Sequence, residues 1–348
     1  MAVLRGDMLA SLPDAMPLNE TTETRMSHLA RLLTAVTLAF TSHAAFAYPD
    51  GPITLVVPFS AGGDADLSAR NLGAAAQGVL KQPLVVLNKA GASGAIGSQF
   101  VKDAPADGYT LLVGRIGSQA ILPALKPDLP YKWDDFTFLG LLELNPVVCV
   151  VHADSPYKTL ADLARALKEQ PGKLNFSSSG SGTVLYLGPQ LLFQALGLNK
   201  DAAVHITYKG GSDAALAVLS KDVDFTCGNL TSLVAHIKGG KLRALVTTTP
   251  ERAKDIPDVP TAREAGYPQL EAVVGWSVLY GPPGLPDNIV AQWTDVLARM
   301  AKSPAWLAGT EKIGGIARIL SPADTRKFVA EQYRVFDGLG KQLGIELK

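Results

Sequence analysis

The chain has 348 residues, 47% of them hydrophobic, which is length and apolar content for two domains with real cores. Its 32 basic and 32 acidic side chains cancel, so no global field draws it to nucleic acid or to an anionic membrane surface. Five histidines without metal-ligand spacing and only two cysteines imply neither a metal nor a cofactor.

The first recognisable segment is an export leader. Met26 to Arg31 is short and mildly basic, Leu32 to Phe40 is apolar, and Ala45-Phe46-Ala47 is a small-x-small cleavage site, so the leader covers 26–47 and the mature protein starts at Tyr48 in the periplasm. The apolar run is too short for a membrane anchor. Residues 1–25 carry Asp7, Asp14, Glu20 and Glu23, which a leader should lack, and read as an unstructured, mis-assigned start ahead of Met26.

From Tyr48 onward strand-like runs alternate with helical ones. The strands expected are Ile53–Val57, Leu84–Leu87, Thr110–Val113, Val147–Val151, Leu174–Phe176, His205–Tyr208, Phe225–Cys227, Leu242–Thr247 and Val273–Tyr280. Helices open at Thr159-Leu160-Ala161-Asp162, a capping pattern, at Pro286 and at Ser321-Pro322-Ala323-Asp324. Such alternation predicts α/β layers with mostly parallel sheets. Val147–Val151 and Val273–Tyr280 stand out as strands that cross between domains. Domain 1 would then hold 48–147 and 277–348, and domain 2 would hold 148–276. Cys149 and Cys227 each sit in an apolar strand and read most simply as buried free thiols, with a disulfide left open.

Ligands of open α/β sheets sit at the carboxyl ends of strands. Three loops occupy such places. The first runs from Phe59 and Ser60 through Ala61, Gly62, Gly63 and Asp64 to Asp66. The second is Gly114 to Ser118, and the third is Ser177 to Thr183. Paired glycines at the head of a helix leave backbone N–H groups uncovered beside a positive dipole end, which suits a carboxylate.

At these residues the chain resembles a known family, the solute-binding receptors of tripartite tricarboxylate transporters, or Bug family. The resemblance rests on an ordered set: Pro52–Phe59, Ala61–Asp66 with Ala69-Arg70, Val85–Ala92, Ala106–Leu112, Tyr208–Gly211, Gly239–Leu245, Val259–Gly266 and Gly281–Pro286. It implies the type II periplasmic binding arrangement, two α/β domains joined by two hinge strands with a cleft between them. It also implies a monomeric receptor that passes a small-molecule carboxylate to a small and a large membrane subunit. In such receptors the carboxylate is held by the first loop, here Ser60 to Asp64, and by the Gly/Ser loop, here Ser179, Gly180, Ser181 and Thr183. Two departures stand out: Tyr186 where the family often has histidine, and Arg115 where many relatives carry a small or polar residue.

Read singly, Asp66 is a cap or loop brace, and Asp64 either meets a ligand amine, hydroxyl or water or is merely solvated. Arg115 can take a second carboxylate with two parallel bonds, with Ser118 supporting the same wall. Asn229 ends a strand and is a weaker polar candidate. Trp276 and Tyr280 read as packing, while Phe59 and Tyr186 can offer aromatic walls. The expected function is capture of a dicarboxylate for uptake, with an aromatic one such as terephthalate suggested by Arg115 and those walls; aliphatic dicarboxylates, citrate and acidic amino acids stay open. A sensor signalling to a membrane kinase is the alternative, and a secreted serine hydrolase using Ser181 or Ser212 a remote one. Neither a P-loop nor a Gly-x-Ser-x-Gly elbow is present, and the chain is not expected to be an enzyme.

Overall fold

A computed structural model describes residues 48–347; the early start at 1–25, the leader at 26–47 and the cleavage point after Ala47 lie outside the described residues. Two mixed sheets organise the rest. The first is built from β1 (Ile53–Val57), β2 (Leu84–Asn88), β3 (Thr110–Arg115), β4 (Thr137–Asn145), β10 (Gly275–Gly281) and β11 (Ile316–Ala317), in the order β11-β4-β10-β3-β1-β2. The second holds β5 (Val147–His152), β6 (Asn175–Ser178), β7 (Val204–Thr207), β8 (Phe225–Asn229) and β9 (Leu242–Thr247), in the order β7-β6-β8-β5-β9. In the first sheet β1 pairs in parallel with β2 and β3, while β10 runs antiparallel between β3 and β4. The apolar, β-branched run of β1 is buried along most of its length, as a strand covered on both faces requires.

Around the sheets lie α1 (Asp64–Ala76), α2 (Ala95–Lys102), α3 (Leu122–Leu125), α4 (Leu160–Glu169), α5 (Val184–Ala195), α6 (Gly211–Leu219), α7 (Leu230–Lys238), α8 (Asp287–Met300), α9 (Pro304–Lys312) and α10 (Pro322–Leu343). The helix openings legible in the sequence form as expected. Thr159 and Asp162 close a reciprocal capping box on α4, and the Ser321 hydroxyl accepts from Asp324 N–H at the head of α10. The apolar stripe of α8, with Ile289, Trp293, Val296 and Leu297, packs on Leu139, Leu142 and Leu279 of the first sheet.

Strand β4 was not anticipated, and it changes where the chain crosses between sheets. Val147–Val151 lies wholly within the second sheet. The crossing falls at Pro146, between Asn145, paired with Gly275, and Val147, paired with Asn229. Proline has no N–H to continue a ladder, so the extended run changes sheet there. The return passes through residues 248–274 into β10, which belongs to the first sheet throughout.

The cysteines correct a second expectation. Cys149 and Cys227 face each other across the antiparallel β5–β8 pair and form a disulfide. Their separation of 78 residues hid this in the sequence, because β8 reaches β5 only after β6 and β7 have been laid down beyond it.

Candidate ligand-binding site

Both lobes contribute to one cavity in the cleft. Phe59, Asp64 and Ala65 line it from the β1–α1 junction, and Arg115, Ile116 and Gly117 from the end of β3. Ser179, Thr183, Val184 and Leu185 come from the β6–α5 junction, with Gly211 and Asn229 beside them. The strand ends singled out in the sequence therefore do converge. The cavity volume is about 20 Å³, and groups of the two lobes meet directly beside it, Asp64 with Asn229 and Ser212 with Ala61.

The glycine loop is arranged differently from the expectation. Gly62 adopts the left-handed backbone (φ 74°), but its N–H is not uncovered: it donates to Asp66 Oδ2 at 2.9 Å. Neither Gly62 nor Gly63 lines the cavity. Gly63 instead abuts the other lobe, where an added Cβ would lie 3.5 Å from Gly211 N at the head of α6. Asp66 is the loop brace foreseen for it, also accepting from Arg70 Nε at 2.8 Å. Burial works against its charge, but the bonds from Arg70, Gly62 and Asn88 prevail and hold its carboxyl below the ordinary value. The first turns of α1 and α5 line the cavity through Asp64-Ala65 and Val184-Leu185. Neither helix has a side-chain cap, and first-turn N–H groups have no intrahelical acceptor.

Asp64 is not solvated. Its carboxylate crosses the cleft, accepting from Asn229 Nδ2 at 2.8 Å and from Ser232 N–H, in the first turn of α7, at 3.0 Å. Asn229, a minor candidate in the sequence, is thus a central contact. Ser60 Oγ lies 3.3 Å from Ser212 Oγ, and Ser212 Oγ donates to Ala61 O at 3.0 Å, which joins the lobes a second time. A third junction was missed altogether. Ala92 and Ser93 hold left-handed backbones between Gly91 and Gly94, and Ser93 Oγ accepts from Gly182 N–H at 3.4 Å. An added Cβ on Gly180 (φ 123°) would lie 2.2 Å from that same oxygen. The glycines at 91 and 94 were the sequence signal for this turn.

Arg115 is buried and aimed into the site. Its Nη1 donates to Asn145 Oδ1 at 2.8 Å and to Ser277 Oγ at 2.5 Å, with Glu143 Oε1 at 3.8 Å, while Nη2 is buried without a partner. Burial lowers the guanidinium pKa, and the nearby Asp64 and Glu143 charges oppose that shift. Glu143 and Asn145 went unread as site residues because β4 was not recognised, and Ser277 because the place of β10 between β3 and β4 has no local signal.

The remaining candidates separate. Ser179 and Thr183 line the cavity, although the Thr183 hydroxyl is spent on Gly180 O at 2.6 Å. Ser181 does not line it. Ser118 is turned onto the backbone, its Oγ donating to Arg115 O at 3.3 Å, and braces the turn rather than forming a wall. Phe59 does line the cavity, whereas Tyr186 packs on Phe176 and His205 with ring centroids 6.3 and 4.8 Å away. Trp276 and Tyr280 are core residues. The histidine hydrogen bonds described run to Asp154, Ser178 and Thr207, not to Ser181 or Ser212. Among the described residues no helix is long and apolar enough to cross a membrane.

Comparison with known proteins agrees with this geometry. The periplasmic binding protein BugD is 30% identical, with a TM-score of 0.82 over 86% of this chain and 100% of its own. MatC from Rhodopseudomonas palustris, solved with bound malate, is 31% identical, with a TM-score of 0.78 over 84% of this chain and 99% of its own. R. palustris Rpa4515, solved with adipate, is 28% identical, with a TM-score of 0.81 over 86% and 99%. The model of the tripartite tricarboxylate transporter family receptor, TctC, matches residues 68–345. A match of that extent, on a fold shared with BugD, makes this chain a member of the TctC, or Bug, family of solute-binding receptors.

Proposed function

We propose that this chain is an exported, monomeric receptor that captures an aliphatic dicarboxylate in the periplasm and delivers it to the membrane subunits of a tripartite transporter. The observation that carries the reading is the pairing of two uncapped helix heads with the unpartnered Arg115 Nη2 around one buried cavity. One carboxylate would lie against the first turns of α1 and α5, and the other would reach Arg115. Malate in MatC and adipate in Rpa4515 support a dicarboxylate of about this length. An aromatic acid such as terephthalate is the weaker choice, because only Phe59 of the two expected aromatic walls lines the cavity. The periplasmic assignment draws on the leader-like 26–47 segment and on BugD.

Entry requires the lobes to part, with the first sheet and its helices moving against the second about Pro146 and the 248–274 return. Calorimetric titration with malate, succinate and adipate tests the reading. Arg115→Gln should weaken the best dicarboxylate by about 1.5–3 kcal/mol, roughly ten- to a hundredfold, and leave monocarboxylates nearly unaffected. Equal affinity of wild type and variant for every dicarboxylate would remove the second-carboxylate contact.

A further inference from the structure

Behind Arg115 lies a buried polar network that the capture of a ligand does not by itself explain. Glu143 Oε1 accepts from Ser277 Oγ at 3.1 Å and from Asn145 Nδ2 at 3.3 Å, and Ser68 Oγ donates to Ser277 Oγ at 3.0 Å. Glu143 has 0% exposure, and its second oxygen, Oε2, is buried with no hydrogen-bond partner. That oxygen faces Gly315, where an added Cβ would sit 3.1 Å from it, with Thr310 of α9 adjoining. The charged groups that act here are Glu143 on β4, Arg115 on β3 and Asp64 on α1. The facing residues Ser68, Asn145, Thr231, Ser277, Thr310 and Gly315 are uncharged.

One guanidinium thus already stands among two carboxylates. A ligand carboxylate on Arg115 Nη2 would be a third negative charge beside two carboxylates that are buried from solvent. Carboxylates crowded in this way do not all remain ionised; one takes a proton. The hydrogen bonds decide which. Those of Asp64 reach Asn229 and Ser232 across the cleft and last only while the lobes are this close, whereas Glu143 shares the first sheet with Arg115 and keeps its place beside it when the lobes part. Glu143 Oε2 has no bond to lose. Burial already pushes Glu143 upward against the opposing pull of Arg115, Ser68, Asn145 and Ser277.

We propose that Glu143 is a proton acceptor coupled to the ligand: a dicarboxylate that reaches Arg115 binds together with one proton, taken from solvent onto Glu143 Oε2. The inference rests on the dicarboxylate reading of the site. It makes Glu143 a positioning and charge-setting residue rather than a ligand contact, and it separates dicarboxylates, which need the proton, from monocarboxylates, which do not.

The test is calorimetry of the full mature chain in buffers of differing ionisation enthalpy, using whichever of succinate, malate or adipate binds best, and butyrate as the monocarboxylate. Proton uptake approaching one per dicarboxylate and near zero for butyrate is expected. Dicarboxylate affinity should fall by up to tenfold per pH unit between the pKa of Glu143 in the free receptor and its higher pKa in the complex, the same window in which uptake approaches one. Glu143→Gln should abolish both effects and bind more tightly than wild type at high pH. Absent uptake in wild type with an Arg115-dependent affinity overturns this inference alone, and needs no variant to fold. Uptake that persists in Glu143→Gln overturns it by placing the proton elsewhere. Affinity indifferent to Arg115→Gln overturns the dicarboxylate reading, and this inference with it.

Discussion

Asp66 shows how far a single residue could be read from its neighbours. Its role as a loop brace was legible, because an acidic residue at a helix head has few other tasks. That it consumes the Gly62 N–H was not, since the return bond depends on a turn whose shape only coordinates give. Arg115 was legible as a wall because it ends a strand beside a glycine. Its counter-ion was not, because β10, more than a hundred residues later in the chain, lies between β3 and β4. Asp66 also makes an acid-stability prediction. Its folded pKa is below the ordinary 3.8, so its contribution is complete above that value and disappears as pH falls through the lower folded value. Asp66→Asn should therefore cost about 1–2 kcal/mol in urea unfolding at pH 7. The gap to wild type should close in strong acid; a gap independent of pH would show that the carboxylate charge is not what braces the loop.

Among the elements, those with local signals were the readable ones. The α4 capping box, the proline-led α8 and the Ser321 cap on α10 all carry their instructions within one turn. Strand β4 carries none: TFLGLLELN is as apolar as a buried helix segment, and it follows no glycine-rich turn. Pairing across the second sheet was equally hidden, and with it the disulfide. Closing a loop of that length restricts the unfolded chain, so Cys149→Ala/Cys227→Ala should lower stability by about 2–4 kcal/mol in denaturant titration. Reduction of the wild-type protein should move the midpoint the same way. An unchanged midpoint in both would mean the bond constrains nothing that unfolding releases.

For the molecule as a whole, the two-lobed plan and the convergence of strand ends were visible in the alternation of elements and in the resemblance. The closed state was not, because it depends on contacts between residues about 150 or more apart, such as Asp64 with Asn229 and Ala61 with Ser212. Asp64 ties the lobes together across the cleft, and a form shut on itself is not competent to take in solute. Apparent affinity is reduced by the competent fraction, so loosening the latch should restore it. Asp64→Ala is expected to enlarge the ligand-free radius of gyration in X-ray scattering and to raise dicarboxylate affinity by about tenfold, the equivalent of roughly 1.4 kcal/mol. A loss of affinity would instead make Asp64 a ligand contact.

The narrow chamber has one more implication. A dicarboxylate of the proposed kind would touch Arg115 on one half and the first turn of α5 on the other, and so would act as a spacer between them. The distance between the halves would then depend on the length of the acid. A membrane partner resting on both halves at once could gauge that span, and so tell freight from none without ever touching the freight.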